Sequence, residues 1–323
     1  MSQKVYLAFS QDTEFAIPEI LPSHIISPEI YKKLDIPAKR ELWACYIREG
    51  IWSDPLHLAR SMQELDMIQR LGQLFEKFGG KFTSFILGQW LEFIVQELGQ
   101  KTVQYFFNSP AIDVQSHSFT HRTWMSTGDA MRDKISPPVP PNKFFQEIQS
   151  SINIIWEYLE KKVIGIRTPM GNIAPFSESE KHILEALKRC EIRFVSGYLK
   201  TKQRESNGLH AQPFFYEQLG FPNILEIPGI GNFDVWHCQP TRLLVFEKDD
   251  TVSLEYMIKY YLDLLLEALA AKAKKIFIPL VCHPHAAVLY DPNLEFYTAI
   301  LQFCKENDIG IISYAEVNEM MRQ

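Results

Sequence analysis

Polar side chains that could take part in catalysis or metal binding follow several apolar segments of the sequence that we predict to be strands. In chain order they are Asp12, the pair His117 and His121, Arg167, and His283. The carboxyl ends of parallel strands lie on one side of an α/β fold, where barrel and open-sheet enzymes carry their sites. We therefore expect these side chains, although distant in sequence, to converge on one site.

The two histidines give the most specific chemical signal. His117 and His121 are four residues apart, a spacing at which two imidazoles one helical turn apart can reach one cation. Asp12 from a neighbouring strand end could complete a set of three ligands, which leaves a position open for water, as in catalytic sites. Nitrogen and oxygen ligands suit Zn²⁺ and other first-row divalent ions. Taken alone, the pair is equally compatible with two histidines hydrogen-bonded at the start of a loop.

The elements that must position these residues alternate along the chain. We predict eight strands, at Val5–Phe9, Phe82–Leu87, Ile112–Ser116, Val163–Ile166, Arg193–Ser196, Ile224–Ile227, Ile276–Val281 and Gly310–Ser313. Helical patterns lie between them, at Leu56–Phe78, Trp90–Glu97, Phe144–Lys161, Ser179–Arg189, Leu254–Ala273 and Leu294–Glu306. Because several strands are apolar on nearly every residue, they are typical of a parallel sheet covered on both faces. The pattern predicts an α/β fold, either a barrel or a doubly wound sheet.

Length and composition bound the domain organisation. The chain has 323 residues, of which 46% are hydrophobic and 22% charged, an ordinary globular balance. No shift in composition marks a boundary, so we expect a single domain over residues 1–323. Residues 13–55, rich in proline, isoleucine and aromatic residues, interrupt the alternation and predict a long loop insertion after the first strand.

Charge and cysteine content argue against several classes of protein. Thirty-three basic residues against 39 acidic ones give a net charge of −6, which argues against a nucleic acid partner. Five scattered cysteines without a CxxC pair argue against a disulfide framework and a thiolate zinc site. The first residues contain no apolar run long enough for a secretion signal, and the most apolar helical stretch, Tyr260–Ala271, carries two acidic residues. We therefore expect a cytoplasmic protein without a membrane partner.

Five segments carry a resemblance to a known family. They are Phe82–Gly88, Asp113–His121, Gly165–Gly171, Leu280–His285 and Ile309–Val317. In this order they resemble the motifs of the polysaccharide deacetylase (NodB-homology, carbohydrate esterase 4) superfamily, most closely its branch of intracellular peptidoglycan-deacetylase-like proteins and allantoinases. The resemblance implies a distorted (β/α) barrel of the NodB type, with about seven to eight strands.

The same resemblance implies a reaction and a set of roles. The reaction is hydrolysis of an amide bond, most often removal of an N-acetyl group from a sugar, with a carbohydrate or related small amide as substrate. The metal ligands would be Asp12, His117 and His121, and the cation a divalent one, Zn²⁺ foremost. Arg167 would orient a catalytic carboxylate, and His283 would protonate the leaving amine, since an amide nitrogen leaves poorly unless protonated. Analogy with the family also allows a homo-oligomer.

The sequence departs from the family pattern at two places. The family has an aspartate, the general base, one or two positions before the metal-binding aspartate, whereas Ser10 and Gln11 stand here. Neither residue accepts a proton near neutral pH. Glu14 lies close by and is our candidate for the base. The acidic residue of the fourth motif is also missing, because Phe194 is followed by Val195.

Three functions are therefore open. The first is a metal-dependent hydrolase of carbon–nitrogen amide bonds. The second is a catalytically silent relative that binds a metal or a sugar, which Ser10 and Gln11 favour. The third is a ring amidohydrolase of the allantoinase type without an essential metal. Turnover of N-acetylated sugars with added Zn²⁺, together with metal analysis of the protein, distinguishes the three.

Overall fold

A computed structural model describes most of the chain. The described residues are 4–14, 27–34, 38, 42, 54, 56–125, 137–199, 208–230 and 253–323. Within them, nine strands form one sheet: β1 (Lys4–Thr13), β2 (Phe82–Ile86), β3 (Ile112–Ser116), β4 (Gly165–Asn172), β5 (Phe194–Tyr198), β6 (Phe214–Tyr216), β7 (Phe221–Glu226), β8 (Lys275–Cys282) and β9 (Gly310–Ile312).

Helices separate most of the parallel strands. In the described part of the chain they are α1 (Pro28–Lys33), α2 (His57–Lys77), α3 (Gly88–Leu98), α4 (Gln100–Phe106), α5 (Phe144–Leu159), α6 (Lys181–Arg189), α7 (Leu254–Ala270), α8 (Pro284–Tyr290), α9 (Glu295–Glu306) and α10 (Tyr314–Met321). In none of these helices do length and apolarity together suffice to cross a lipid bilayer.

The sheet curls into a barrel that is closed partly by loops. The strand order is β6-β7-β5-β4-β3-β2-β1-β8, with β9 on β1, and every pair is parallel except β6 with β7. No ladder joins β8 to β7 among the described residues. The backbone of Ile230 instead donates to Pro279 on β8 at 2.7 Å, and Gln212 exchanges two hydrogen bonds with Phe277. These contacts link the two ends of the sheet, and the predicted distorted (β/α) barrel is confirmed.

Alternating side chains along β1 face two different cores. Leu7 and Phe9 belong to the large cluster between the sheet and the helices. Ala8 belongs to a smaller cluster contributed by several strands and α10, with Phe85, Phe194, Leu225, Phe277 and Tyr314. Because residues two apart share one face of a strand, Ser10 and Asp12 continue the inner face of Ala8. The inside of the barrel is thus apolar in its lower part and polar at the carboxyl end of β1.

All eight predicted strands and all six predicted helices are present, with differences at their ends. β1 continues four residues beyond its predicted end at Phe9, because its ladder with β2 extends to Thr13. β4 also extends, from its predicted end at Ile166 to Asn172. The three-residue edge strand β6 and the short helices α4, α8 and α10 have no counterpart in the prediction, since segments this short carry little periodicity.

The predicted insertion at 13–55 lies mostly outside the described residues. Thr13 belongs to β1, and α1 lies within the segment. The single-domain organisation of residues 1–323 stays a prediction.

Candidate active site

The carboxyl end of β1 supplies three buried polar side chains at a spacing of two residues. They are Ser10, Asp12 and Glu14, with exposed fractions of 0%, 5% and 7%. Burying polar groups is costly unless they have partners, so each one calls for an explanation. Their partners divide them into two sets, one with the histidines of the β3 turn and one with the arginine of β4.

Glu14 lies with the two histidines. One potential ligand atom each from Glu14, His117 and His121 lies within 4.8 Å of the others. Glu14 Oε2 is 3.4 Å from His117 Nε2 and contacts His121 Nε2 directly. Burial raises the pKa of Glu14, but the charge of His121 and hydrogen bonds with both imidazoles outweigh burial and hold that pKa well below its ordinary value. The cluster therefore presents an ionised carboxylate and two imidazoles in a buried setting, which is a donor set for a divalent cation.

An irregular turn, and not a helix, carries the two histidines. Ser118 and His121 have positive φ values of 69° and 60°. On α5, Glu147 Oε1 accepts hydrogen bonds from the backbone of Phe119 at 3.0 Å and of Thr120 at 2.6 Å, and from the Thr120 hydroxyl at 2.9 Å. One carboxylate thus holds the backbone between the two imidazoles in a conformation that a free chain rarely adopts.

A second contact fixes the ring of His117. Its Nδ1 lies 3.2 Å from the backbone carbonyl oxygen of Arg167. If Nδ1 donates there, Nε2 is left with a lone pair facing Glu14. Metal-binding histidines are commonly oriented by such a bond from the other ring nitrogen to a carbonyl. The residues present therefore fit a bound divalent cation.

Asp12 lies with Arg167. Asp12 Oδ1 is 3.5 Å from Arg167 Nε, and Arg167 Nη2 donates to Ser10 Oγ at 2.7 Å. The guanidinium is fully buried and lies 4.5 Å from the centre of the Phe85 ring and 5.3 Å from that of Tyr314. This aromatic support fixes the arginine, and the arginine in turn orients the Asp12 carboxylate.

The structure differs from the prediction in how it places the two carboxylates. Asp12 was expected with the two histidines and Glu14 as a nearby base, whereas Glu14 lies with the histidines and Asp12 beside Arg167. The reason is the length of β1. Because the ladder continues through Thr13, Asp12 is held inside the barrel next to β4, and Glu14, just beyond the strand, reaches the histidine turn.

His283 directly follows β8, as predicted. It is the residue before α8, has an extended backbone with φ −135° and ψ 135°, and is 9% exposed. Its ring centre lies 5.2 Å from that of His285. A histidine in this position can deliver a proton at the mouth of the barrel.

Sequence analysis missed Glu64. It lies on α2, is 1% exposed, and has His285 Nδ1 at 3.6 Å from its Oε1. Burial raises the pKa of Glu64 well above its ordinary value, the charge of Glu14 raises it further, and His283 lowers it. Glu64 is therefore close enough to interact electrostatically with both the histidine–glutamate cluster and His283. The sequence does carry a signal for Glu64, because it is a charged residue within the apolar stripe of helix α2.

Residues 65–195 match the model of a family described as polysaccharide deacetylase. A search of curated protein sequences finds no match.

Solved structures share the fold at low sequence identity. A Mycobacterium smegmatis protein, provisionally assigned as a polysaccharide deacetylase, has a TM-score of 0.59 at 14% identity, over 99% of this chain and 91% of its own. A probable polysaccharide deacetylase from Pseudomonas aeruginosa PAO1 has a TM-score of 0.60 at 10% identity, over 97% and 89%. The Puue allantoinase has a TM-score of 0.52 at 12% identity, over 97% and 89%. At these identities the similarity shows a common fold.

Proposed function

We propose that the protein, whose resemblance to the polysaccharide deacetylases is confirmed over residues 65–195, is a metal-dependent hydrolase of carbon–nitrogen amide bonds. Its substrate would be an N-acetylated carbohydrate or a related small amide. The observation that carries the proposal is the buried Glu14–His117–His121 cluster next to a separate Asp12–Arg167 pair. One set can hold a cation while the other keeps a carboxylate available for proton transfer.

Glu14, His117 and His121 would hold the cation, with Zn²⁺ the foremost candidate for two imidazoles and one carboxylate. The bond between His117 Nδ1 and the Arg167 carbonyl supports this role, because it turns the other ring nitrogen toward Glu14. A bound divalent cation supplies a Lewis acid and lowers the pKa of a water ligand to about 7.

Asp12 would accept the proton of the attacking water. Arg167 and Ser10 form the fixed side of this arrangement, since the arginine is hydrogen-bonded to the serine and ion-paired with the aspartate. His283 would give a proton to the leaving nitrogen, which otherwise departs as a strongly basic anion.

The presence of Asp12 beside Arg167 favours an enzyme over a silent binding module. The binding-module hypothesis rested on Ser10 and Gln11, which cannot act as a base. Asp12 supplies a carboxylate at the partner position of the arginine, and Ser10 serves as a hydrogen-bond acceptor for that arginine.

The test measures acetate release from N-acetylglucosamine oligomers, and ring opening of allantoin, with and without added Zn²⁺. We expect acetate release that a chelator removes and Zn²⁺ restores. Glu14→Gln should lower Zn²⁺ affinity in calorimetry by more than about 100-fold, since even changes to residues that only orient the ligands cost about 10–100-fold.

Glu97→Gln is the matched control, because Glu97 is exposed on α3 and should leave affinity unchanged. Activity of a metal-free sample would contradict the metal-dependent mechanism and favour the allantoinase-type alternative. Binding of the sugar without acetate release would favour the binding module.

A further inference from the structure

The Arg167 guanidinium lacks the hydrogen bonds that would fix its orientation toward Asp12. It is fully buried, and neither its Nε nor its Nη1 makes a hydrogen bond within the described part of the chain. A bidentate pair with a carboxylate would fix the plane of the guanidinium, whereas Arg167 Nε and Asp12 Oδ1 are 3.5 Å apart. The orientation of this pair must therefore come from other residues.

Two aromatic rings and one hydroxyl surround the guanidinium. Its central carbon lies 4.5 Å from the centre of the Phe85 ring and 5.3 Å from that of the Tyr314 ring. The two rings are perpendicular, with their centres 5.3 Å apart, so they form a corner against which the planar cation packs. Ser10 Oγ accepts a hydrogen bond from Arg167 Nη2 at 2.7 Å. Packing and this one hydroxyl thus position the arginine.

Tyr314 contributes to both the packing and the hydrogen bond. It is the first residue of α10 and is fully buried. Its hydroxyl oxygen is 3.2 Å from Ser10 Oγ, and the hydroxyl donates to the backbone oxygen of Leu280 on β8 at 3.5 Å. Ser10 donates to the same backbone oxygen at 2.7 Å. Because the Ser10 proton is held by Leu280, the serine oxygen is left as an acceptor for Arg167.

The backbone that carries Tyr314 is fixed as well. Its N–H donates to Thr83 Oγ1 on β2 at 2.8 Å. One residue earlier, Ser313 caps α10: its hydroxyl accepts from the backbone of Glu316 at 3.2 Å, and the Glu316 carboxylate accepts from the Ser313 backbone at 2.8 Å. The tyrosine is therefore held at its backbone by β2 and at its hydroxyl by β1 and β8.

We propose that Tyr314 is a positioning residue: its ring and hydroxyl together fix Arg167, so that the arginine holds the Asp12 carboxylate where the proton of the attacking water is accepted. The inference rests on the role of Asp12 in the proposed function. Tyr314 itself neither gains nor loses a proton, and no bond to it forms or breaks. Its contacts lead to Arg167 and Ser10, whereas Glu14 lies with the two histidines. Loss of Tyr314 should therefore slow the chemical step without weakening cation binding.

The first test separates the chemical step from binding. In Tyr314→Leu we expect kcat for acetate release from N-acetylglucosamine oligomers to fall about 10–100-fold, because a misplacement of about 1 Å in a reacting group can cost that much. KM, and Zn²⁺ affinity in calorimetry, should change by less than about threefold, as for an interaction that acts only in the transition state. Calorimetry also counts the Zn²⁺ sites, so kcat is expressed per site and does not depend on the fraction of folded protein.

Tyr314→Phe removes only the hydroxyl and keeps the ring against the guanidinium. It should lower kcat about threefold to tenfold, the usual net effect of one hydrogen bond, with KM and Zn²⁺ affinity unchanged. This variant decides the question alone if Tyr314→Leu does not fold. A wild-type kcat in Tyr314→Phe, or a loss of Zn²⁺ affinity that parallels the loss of kcat, would overturn the proposal.

Phe277→Leu is the matched control. Phe277 belongs to the same inner cluster as Tyr314, is 2% exposed, and stacks on Tyr6 with ring centres 5.5 Å apart. The substitution should lower stability, because a buried ring is lost, and leave kcat unchanged. If kcat falls equally in Phe277→Leu and Tyr314→Leu, the effect of Tyr314 is one of general packing and the proposal is wrong.

The second test needs neither substrate nor cation and so separates this inference from the proposed function. Exchange of the Arg167 Nε proton with solvent is followed by NMR of the full chain, with the signal assigned by its loss in Arg167→Lys. We expect faster exchange in Tyr314→Phe, exchange at least about tenfold faster in Tyr314→Leu, as for an easier local opening, and wild-type exchange in Phe277→Leu. Wild-type exchange in Tyr314→Phe would overturn the role of Tyr314, whereas absent acetate release by the wild type would overturn the proposed function instead.

Discussion

Two buried glutamates of this barrel have opposite surroundings. Glu226, at the end of β7, accepts hydrogen bonds from the backbone of Gly197 at 2.8 Å and Tyr198 at 2.9 Å, and from the Tyr216 hydroxyl at 2.6 Å. Glu64, on α2, accepts none in the described part of the chain. Both are 1% exposed or less, and burial raises the pKa of both. Burial alone therefore does not distinguish them, but hydrogen bonding does.

The same contrast recurs around the histidine turn. Glu147 accepts three hydrogen bonds from that turn and so belongs to its framework. Asp12 Oδ1 accepts no hydrogen bond among the described residues and has only its ion pair with Arg167. We infer that carboxylates with complete hydrogen bonding belong to the framework of the barrel, whereas those with spare acceptor capacity belong to the proposed site.

The largest expected effect concerns Asp12. In Asp12→Asn we expect kcat for amide hydrolysis to fall about 10²–10⁴-fold, the usual loss for a general base. The melting temperature should also fall, because the substitution leaves the buried Arg167 guanidinium without its anionic partner. Steady-state kinetics and thermal unfolding of the same preparation measure both quantities.

Asp113→Asn tests a carboxylate that, unlike Asp12, has its hydrogen bonds made. Asp113 is a half-buried carboxylate on β3 that accepts hydrogen bonds from Thr83 at 2.9 Å and Gln115 at 2.7 Å. It should lower stability and leave the rate of the folded enzyme unchanged. If Asp12→Asn keeps the wild-type rate, the division between framework and reactive carboxylates is wrong.

A smaller effect is expected at Glu147. Removing its carboxylate in Glu147→Ala frees the turn that carries His117 and His121, so Zn²⁺ affinity should fall about 10–100-fold. Stability should also fall by about 1–3 kcal/mol, because buried backbone donors lose their acceptor. Glu147→Gln keeps an acceptor oxygen and should lie between the wild type and Glu147→Ala in calorimetric titrations with Zn²⁺. Unchanged affinity in Glu147→Ala would show that the turn holds its shape without this residue.

Much of the barrel, and part of the site, could be predicted from the sequence. Apolar strands alternating with amphipathic helices were sufficient for the order of elements. The positions of His117, His121, Arg167 and His283 after strands or within them were sufficient to expect convergence. These signals are local, since each depends on a short stretch of sequence and on the general rule that strand ends carry sites.

The placement of Glu14 with the histidines and of Asp12 beside Arg167 could not be predicted in the same way. Their spacing of two residues places both on one side of β1, and this can be read from the sequence. Which of them reaches the histidines depends on where the ladder with β2 ends, and that is set by pairing with a segment about 70 residues away. Glu64 depends in the same way on how α2 packs against α8.

We expect no effect on activity from a substitution of Glu226, but an effect on how the free energy of unfolding depends on pH. Burial raises the pKa of Glu226 from 4.5 to about 6 in the folded protein, although its hydrogen bonds act in the opposite direction. The folded state therefore binds this proton more tightly than the unfolded state does, and the free energy of unfolding decreases as pH rises from 4.5 to about 6. A shift of this size corresponds to roughly 2 kcal/mol.

Glu226→Gln should remove that part of the pH dependence in urea unfolding while leaving kcat unchanged. Asp291, whose pKa burial also raises to about 6, contributes equally to both proteins, so the difference between them isolates Glu226. Glu217→Gln, at an exposed position before β7, should retain the full slope of the wild type. A Glu226→Gln protein that keeps the wild-type slope but loses activity would contradict the assignment of Glu226 to the framework of the barrel.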